Sequence, residues 1–439
     1  MNIFVDSLLL FLLIMRYHSQ LLALTALLLS VTVAPAQTTR ADIFNNPSLA
    51  AVVYLPYPAP TTPLTPAPEG YKPFYISHVG RHGSRYMVSN EYYHHTIDLL
   101  SKAERDKVLT PLGKETLAKL RIAYADAHGK AGMLSTLGGQ QHEQIASRMY
   151  RNFPEVFTDN SFVDARSTLV NRCMQSMAHF CTQLQLLNKD LDISQRTRKK
   201  DQYFLSNNKD SAQAAPTNKE VRQRVIHYMD SLNQSNRVVY RLISRESWIR
   251  KHVKRPGQVG FDLYQIWGNM LCQPQLHLDF TDAFERNELF QFFQAENVRW
   301  VLRRGIIPGL TPRYQYIYPL VNNIVSWADE VIRHGKTGAH LRFAHDTQVY
   351  PLAFVLRFSG YGQRPTANLD SLNFYTSADR VVPMASNIQF IFYRKKGSDD
   401  ILVKILFLEK EQHIPIATDQ WPYYHWRDLR AYMKRQATR

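Results

Sequence analysis

The stretch that decides the fold is Phe74-Tyr75-Ile76-Ser77-His78-Val79-Gly80-Arg81-His82-Gly83-Ser84-Arg85. Its first six residues are aromatic, β-branched or small and predict a short buried strand, and the two glycines that follow admit a tight loop. The strand thus delivers one histidine between two arginines. Guanidinium groups fork onto phosphate oxygens, and an imidazole that titrates near pH ~6.5 can act as a nucleophile or carry a proton. The pattern indicates phosphoryl-transfer chemistry.

The same tripeptide occurs a second time, as Arg333-His334-Gly335. Two basic residues in a last turn, followed by glycine, are typical of a helix end. Because a short motif needs the right context, we interpret this second copy as structural and the first as the functional candidate. The apolar residues that precede the second copy at helical spacing are Ile324, Val325, Ala328, Val331 and Ile332.

Length and composition predict a globular protein with a full core. The chain has 439 residues, 45% of them hydrophobic, and its 53 basic and 37 acidic residues give a formal charge of +16. Such a charge favours acidic partners: phosphorylated small molecules, nucleic acid or anionic lipid. We find no zinc-type spacing, no Gly-rich phosphate loop and no internal repeat, so the sequence predicts neither a metal nor a cofactor.

The amino terminus is predicted to be a signal segment covering residues 1–36. We expect the true start at Met15 and the mature chain to begin at Gln37. Nothing later is long and apolar enough to span a membrane, so we expect an exported protein, periplasmic or secreted, without a membrane anchor. The basic start is Arg16 and His18, the apolar stretch runs from Leu21 to Ala34, and Ala34-Pro35-Ala36 fits the cleavage site.

The three cysteines add little to this picture. On a helix, Cys173 and Cys181 would lie about 12 Å apart, too far for a disulfide. Free buried thiols are therefore expected, with at most one disulfide involving Cys272. The mature part holds one glycosylation sequon, Asn233-Gln234-Ser235, which favours a bacterial over a eukaryotic exported protein.

Composition divides the mature chain into three parts. Residues 37–72 are rich in proline, which predicts an extended arm over the surface. Residues 188–273 turn basic and predict a helical cap insert that acts as a lid, although ordinary solvated lysines and arginines explain most of these charges. Nucleic-acid binding would need interleaved aromatic side chains, which we do not find, so we expect no nucleic-acid partner. Residues 73–187 and 274–439 are left for the core.

A further arginine follows a second strand-like run that ends near Val163. From Arg172 onward, a helical stripe begins, which puts this arginine at the amino end of a helix. The helix dipole disfavours a cation there unless an anion binds beside it. Arg172 is therefore a candidate phosphate ligand, with a solvated surface arginine as the equal alternative.

A third segment, residues 339–347, predicts a buried strand that ends in His345, Asp346 and Thr347. A carboxyl group at that edge can protonate a leaving alkoxide, and a positioned acid typically contributes ~100- to 10,000-fold. The adjacent histidine can bind phosphate. The structural alternative is that Asp346 caps the helix that follows. Near the carboxyl terminus, residues 387–394 and 401–408 predict a hairpin.

In this order and spacing, the segments resemble the histidine acid phosphatases, the larger branch of the histidine phosphatase superfamily. The resemblance rests on Arg81 through Arg85, on Arg172 followed by Ser176, and on Leu341 through Asp346. Together with residues 71–80, the first motif looks most like bacterial multiple inositol polyphosphate phosphatases. The resemblance implies an α/β fold: a doubly wound mixed sheet with helices on both faces and a helical cap.

The resemblance also implies roles for single residues. His82 would be the nucleophile and Asp346 the proton donor, both catalytic, while Arg81, Arg85, Arg172 and His345 would bind the substrate phosphate without a metal. Two positions depart from the family pattern: Met87 replaces a proline, and the late motif reads His345-Asp346 instead of the His-Ala-Glu of the multiple inositol polyphosphate subgroup. These departures leave both inositol polyphosphates and sugar phosphates as candidate substrates.

The expected function is an exported phosphomonoesterase that works through a phosphohistidine, acting on inositol polyphosphates such as phytate. One alternative is a general sugar-phosphate phosphatase resembling glucose-1-phosphatase. Others are a non-catalytic polyanion-binding protein and a phosphate mutase, which the export signal disfavours. Oligomeric state and positional specificity lie beyond the sequence.

Overall fold

The computed structural model describes residues 38–206, 219–304, 315–359, 368–374 and 377–438. All of these belong to one structural unit. Several expectations fall outside the described residues: the signal segment, the start at Met15, the first mature residue Gln37, and residues 207–218 of the basic insert.

One mixed sheet forms the centre of the fold. Its strands lie in the order β3-β2-β4-β1-β5-β6-β7, and β8 pairs with β6. The first four of these are parallel to one another, whereas β5 runs antiparallel to β1 and continues into an antiparallel half. The strands are β1 Tyr71–Arg81, β2 Phe162–Ser167, β3 Asp192–Arg196, β4 Gly338–Ala344, β5 Asn387–Lys395, β6 Ile401–Phe407, β7 Lys410–Glu411 and β8 Tyr423–His425.

Helices cover both faces of this sheet. The α-helices are α1 Arg40–Asn45, α2 Glu91–Arg105, α3 Pro111–Ala127, α4 Thr136–Asn152, α5 Asn171–Leu187, α6 Gln202–Leu205, α7 Lys219–Gln234, α8 Val238–Leu242, α9 Glu246–His252, α10 Pro256–Met270, α11 Arg286–Arg304, α12 Tyr318–His334, α13 Asp346–Val355, α14 Ala378–Val381 and α15 Trp426–Gln436. Short 3-10 helices cover Pro47–Tyr54, Pro154–Val156, Lys199–Asp201, Pro274–Leu276, Thr281–Ala283, Gln315–Ile317 and Leu369–Phe374.

Neighbouring residues of β1 enter two different hydrophobic cores, because successive side chains of a strand point to opposite faces. Ile76 packs with Ile145 of α4 and Phe180 of α5 on one face. Tyr75 packs in the core that α12 and α15 complete on the other. The prediction of a doubly wound mixed sheet with helices on both faces is therefore confirmed.

The central position of β1 brings together the predicted pieces of the site. Arg81 pairs with Ala344 at the carboxyl end of the parallel strand β4, and Gly80 pairs with Asn387 at the start of β5. Because the carboxyl ends of parallel strands meet at one edge of a sheet, the segments after β1, β2 and β4 emerge side by side. This edge carries the candidate site.

The amino-terminal arm differs from its expected course. Only the proline-rich part after Tyr54 lacks regular structure, whereas α1 and the 3-10 helix Pro47–Tyr54 precede it. Ala50 and Val52 have no exposed surface and belong to the core. The prediction followed the prolines of residues 56–68 and overlooked the apolar run at residues 49–55, which is long enough to pack into the core.

The expected helical insert begins with a strand. β3 pairs in parallel with β2 and forms an edge of the central sheet. Its mixed polar sequence, Asp192-Ile193-Ser194-Gln195-Arg196, lacks the apolar alternation that predicts a strand, because an edge strand buries little of either face. After this strand, the described part of the insert is helical, from α6 to α10.

Two further local predictions are confirmed. The second Arg-His-Gly copy ends α12, where Gly335 adopts a left-handed conformation with a φ of 60°. β5 and β6 form the expected antiparallel hairpin. Within the described ranges, none of the helices combines the length and the apolar character that a membrane span requires.

Candidate active site

The catalytic candidate His82 lies directly after the last residue of β1. It is 1% exposed, and its ring Nδ1 lies 2.9 Å from the carbonyl oxygen of Gly83. A carbonyl oxygen can only accept, so this contact assigns the proton to Nδ1 and leaves Nε2 with its lone pair. The backbone amide of His82 donates to the carbonyl of Ala344, and its carbonyl accepts from the amide of Ala385. The ring is therefore held as an oriented neutral imidazole.

Burial and surrounding cations keep this imidazole neutral. Burial lowers the pKa of His82 well below its ordinary value of 6.5, and the charges of Arg81, Arg172 and Arg85 lower it further, with a smaller contribution from His345. All three arginines predicted to bind phosphate thus act electrostatically on the predicted nucleophile. The structure brings together the three chain segments that the sequence predicted to meet.

Arg81 is fully buried below the loop. Its Nη1 donates to the carbonyl of Val53 at 2.9 Å and also to that of Val382, and its Nη2 lies 3.4 Å from Oδ2 of Asp346. Burial lowers the pKa of Arg81 to about 10, and the charge of Asp346 opposes that shift. Arg81 stays protonated at neutral pH under either influence. Its guanidinium therefore places a positive charge between the carbonyls of Val53 and Val382 and the candidate acid Asp346.

Arg85 lies at the other end of the loop. Its guanidinium carbon is 5.5 Å from the centre of the Tyr54 ring, and its Nη1 donates to the carbonyl of Tyr86 at 2.8 Å. The carbonyl of Arg85 accepts from the side-chain amides of Asn269 and Gln273 at 3.0 and 3.2 Å. The far end of the helical insert thus reaches the catalytic loop.

Arg172 is the second residue of α5, as predicted. The cap residue Val170 gives this helix no side-chain cap, and the Arg172 Nη1 would be 3.6 Å from a Cβ placed on Gly132. Burial lowers the pKa of Arg172, and repulsion by the charge of Arg85 lowers it further. A cation held at a helix amino end beside a second cation is favourable only with an anion nearby.

His345 and Asp346 lie at the end of β4. The rings of His345 and His82 meet edge to face with centres 5.5 Å apart, and Nε2 of His345 is 3.2 Å from the Thr168 hydroxyl. Burial, with the charge of Arg172, lowers the pKa of His345 to about 4. Asp346 is the first residue of α13, for which His345 is the cap without a side-chain hydrogen bond. Asp346 therefore lies at the first helical position and not at the cap position that the structural alternative gave it.

Several arginine donors at this edge are buried without a hydrogen-bond acceptor among the described residues. They are Nε of Arg81, Nε of Arg85 and Nε of Arg172, whereas Nη2 of Arg81 faces Oδ2 of Asp346 at 3.4 Å. A buried donor without a partner costs free energy, about 1–3 kcal/mol and more for a charged group. Donors on three separate arginines around one imidazole are thus available to an anion such as the phosphate that the sequence predicted. In the described ranges, no group of three or more His, Cys, Asp or Glu side chains is placed to hold a metal ion.

Sequence reasoning missed Gln141 of α4, which supports the loop together with Ser176 of α5, a residue of the quoted motif. The amide of Ser84 donates to the side-chain oxygen of Gln141 at 2.8 Å, and the amide of Gly83 donates to Ser176 Oγ at 3.1 Å. A Cβ on Gly83 would come within 2.3 Å of the Gly138 carbonyl oxygen, so loop and helix are in direct backbone contact. The start of α4 looked like an ordinary capped helix, and its Gly-Gly pair was the only signal of close approach.

His142 is a second supporting residue that the sequence did not reveal. It is 1% exposed, packs edge to face on Phe343 and lies against the backbone of Arg81. Burial lowers its pKa to about 3, so its ring is neutral. A histidine inside a helical stripe carries no sign of such a contact in the sequence.

A buried histidine among three arginines is typical of phosphate-processing proteins, and the comparison with known families points to the same class. Residues 76–408 match the family described as histidine phosphatase superfamily (branch 2). The chain therefore belongs to the histidine phosphatase superfamily, as the sequence motifs predicted. The search of curated proteins found no match.

Solved structures with the same fold include two phosphatases. The multiple inositol polyphosphate phosphatase of Bifidobacterium longum, in its apo form, is 19% identical with a TM-score of 0.72, covering 88% of this chain and 97% of that one. The same protein is also known in complex with inositol hexasulfate, with a TM-score of 0.69. The phytase of D. castellii is 14% identical with a TM-score of 0.66, covering 89% of this chain and 85% of that one. At these identities the likeness establishes the fold.

Proposed function

We propose that this protein is a phosphomonoesterase that acts through a phosphohistidine at His82. The observation that carries the proposal is a buried, neutral imidazole whose Nδ1 contacts Gly83, surrounded by three guanidinium groups. Membership of the histidine phosphatase superfamily supports it. This arrangement provides an oriented nucleophile and positive charge where a phosphoryl group gains negative charge.

The reaction has two displacements. Nε2 of His82 attacks phosphorus, an N–P bond forms, and the ester P–O bond breaks while its electron pair leaves with the alcohol oxygen. Protonated Asp346 gives its proton to that oxygen. Water then attacks the phosphohistidine, Asp346 takes a proton from the water, and phosphate leaves as the N–P electron pair returns to His82.

The arginines and His345 bind the phosphoryl oxygens. Arg81, Arg85 and Arg172 have donors without acceptors among the described residues, and a hydrogen bond to a charged group contributes ~1.5–3 kcal/mol. The short distance between Arg81 and Asp346 links the phosphate site to the acid. A bound phosphate dianion would favour the protonated acid, so activity is expected in mild acid.

We propose inositol polyphosphates as the substrate class. Support comes from the concentration of positive charge and from the inositol hexasulfate bound by the B. longum protein. A general sugar phosphate is the second candidate, because the His345-Asp346 motif departs from the inositol polyphosphate subgroup. A non-catalytic polyanion-binding protein would need no oriented nucleophile.

A cap over the site and an export segment belong to the same proposal. The helical part of residues 188–273 is proposed as a cap over the site. Support comes from Asn269 and Gln273, near the end of this insert, which donate to the carbonyl of Arg85. Export through the segment 1–36 is proposed on the sequence alone.

The direct test measures phosphate release from phytate, glucose 1-phosphate and p-nitrophenyl phosphate. Alkaline quenching during turnover of a radiolabelled substrate should trap an acid-labile, base-stable label on wild-type protein but not on His82→Ala. Absence of hydrolysis of all three substrates between pH 4 and 7 would contradict the phosphatase proposal. Preferential hydrolysis of glucose 1-phosphate would contradict only the proposed substrate class.

A further inference from the structure

The 3-10 helix Pro47–Tyr54 lies under the candidate site, although its sequence predicted a surface arm. Val52 is fully buried, Tyr54 is 8% exposed, and both belong to the core. Tyr264 anchors the segment by donating from its hydroxyl to the carbonyl of Ala50 at 2.6 Å. The segment is thus fixed before it reaches the arginines.

The segment makes one direct contact with Arg81. The carbonyl of Val53 accepts from Arg81 Nη1 at 2.9 Å, and the preceding residue, Val52, has a φ of 51° and a ψ of −106°. A positive φ is a genuine outlier for a β-branched residue, and such strain persists only where the surroundings impose it. The kink at Val52 redirects the chain so that the next carbonyl faces the guanidinium.

The segment makes a second contact with Arg85. The Tyr54 ring lies 5.5 Å from the guanidinium carbon, within the range of a cation–π interaction, and Arg85 Nη1 bonds the carbonyl of Tyr86. Arg85 Nε has no acceptor among the described residues. The ring and the carbonyl together hold the guanidinium while one donor stays available.

We propose that Tyr54 is a positioning residue for Arg85, and that the amino-terminal segment orients both arginines of the loop. The inference rests on the proposed phosphatase function. Tyr54 touches no reacting atom, so it acts through Arg85. A tyrosine that merely filled the core would contribute to stability alone.

Three variants separate these roles. Tyr54→Leu removes the ring and should lower kcat/KM about 10- to 100-fold, with p-nitrophenyl phosphate as substrate. Tyr54→Phe keeps the ring and should stay within about threefold of wild type. Tyr424→Leu is the matched control, since Tyr424 is a buried tyrosine of the same core whose hydroxyl accepts from the amide of Ile414 and whose ring contacts Trp421. It should lose thermal stability but keep kcat/KM within about threefold.

The pH dependence of kcat/KM separates the two roles, because a loss of stability alone does not shift its acidic limb. The charged groups that face His82 are Arg81, Arg172, Arg85 and His345. If Tyr54→Leu lets Arg85 move away, His82 loses one depressing charge, and the acidic limb of kcat/KM should move to higher pH. Tyr424→Leu should leave that limb in place.

A double-mutant cycle tests whether Tyr54 acts through Arg85. In an Arg85→Gln background, Tyr54→Leu should change kcat/KM by less than about twofold. Equal effects in both backgrounds, or Tyr54→Leu activity equal to wild type, would overturn the inference. An inactive wild type would instead overturn the phosphatase proposal, so the two failures are distinguishable.

Discussion

The two copies of Arg-His-Gly in this chain fold into opposite environments. Arg81 and His82 are buried at the end of the central strand β1, with an exposed surface of 0% and 1%. Arg333, His334 and Gly335 are exposed at the end of α12, where the glycine closes the helix. The difference shows that the same three residues acquire chemistry only through burial, neighbouring charge and an imposed ring orientation. Paired substitutions in the two copies can break or sharpen this comparison.

Replacement of the two histidines should give the largest contrast. His82→Ala removes the proposed nucleophile, and we expect kcat to fall by roughly 10^4-fold or more while phosphate still binds. His334→Ala should leave kcat within about twofold of wild type. Initial rates with p-nitrophenyl phosphate measure both, and residual turnover of a few per cent in His82→Ala would contradict the assignment.

Replacement of the two arginines should give the next largest contrast. Arg81→Ala removes a buried cation from the site and leaves two backbone carbonyls without their donor, so we expect kcat/KM to fall about 10^2- to 10^3-fold. Stability should fall by about 1–3 kcal/mol. Arg333→Ala, on an exposed helix turn, should change either quantity little. Urea unfolding beside steady-state kinetics tests both, and an equal loss in the two variants would refute the distinction.

The two glycines should differ in the kind of defect. Gly83→Ala would place a Cβ 2.3 Å from the Gly138 carbonyl oxygen, which is backbone, so the loop must shift and kcat should fall about 10- to 100-fold. At Gly335 no atom of the described residues lies within 4 Å of a Cβ placed there, but its φ is 60°. Gly335→Ala should therefore cost about 1 kcal/mol of stability and leave kcat unchanged. Activity loss in Gly335→Ala would contradict this.

The smallest expected effect is in the pH dependence. Burial and the nearby arginines lower the pKa of His82 well below 6.5, so its ring stays unprotonated and nucleophilic as the pH falls through 6.5. Between pH 6.5 and 5.5, protonation of His82 should therefore lower kcat/KM by less than about twofold. Arg85→Gln removes one of these charges and should move the acidic limb toward 6.5. A wild-type limb at or above 6.5 would contradict the described environment.

Much of this site follows from the sequence because its pieces end strands. Apolar runs before Arg81 and before His345 predict buried strands, and parallel strands bring their carboxyl ends together. The supports of the loop could not be found in this way. Gln141 and His142 fit an ordinary amphipathic helix, so the sequence gives no sign that they contact the loop. Val53 contacts Arg81 through its backbone carbonyl, a group that every residue has. Only distances in three dimensions reveal such contacts.

The fold was predictable to a similar depth. Residues 387–408 show the hairpin pattern directly, but β3 has a polar sequence because an edge strand needs little burial. The arm was misjudged because prolines at 56–68 outweighed the apolar residues 49–55 before them. Local composition averages over neighbouring residues, so it cannot show that a short apolar run packs into the core.

The attachment of the loop after β1 to the segment before β5 has a consequence for truncated chains. The amide of Arg81 donates to the carbonyl of Ser386, and the amide of Ala385 donates to the carbonyl of His82, so a late segment of the chain holds an early loop. A polypeptide that ends before residue 385 lacks this support. Such fragments should be inert, wherever the chain folds.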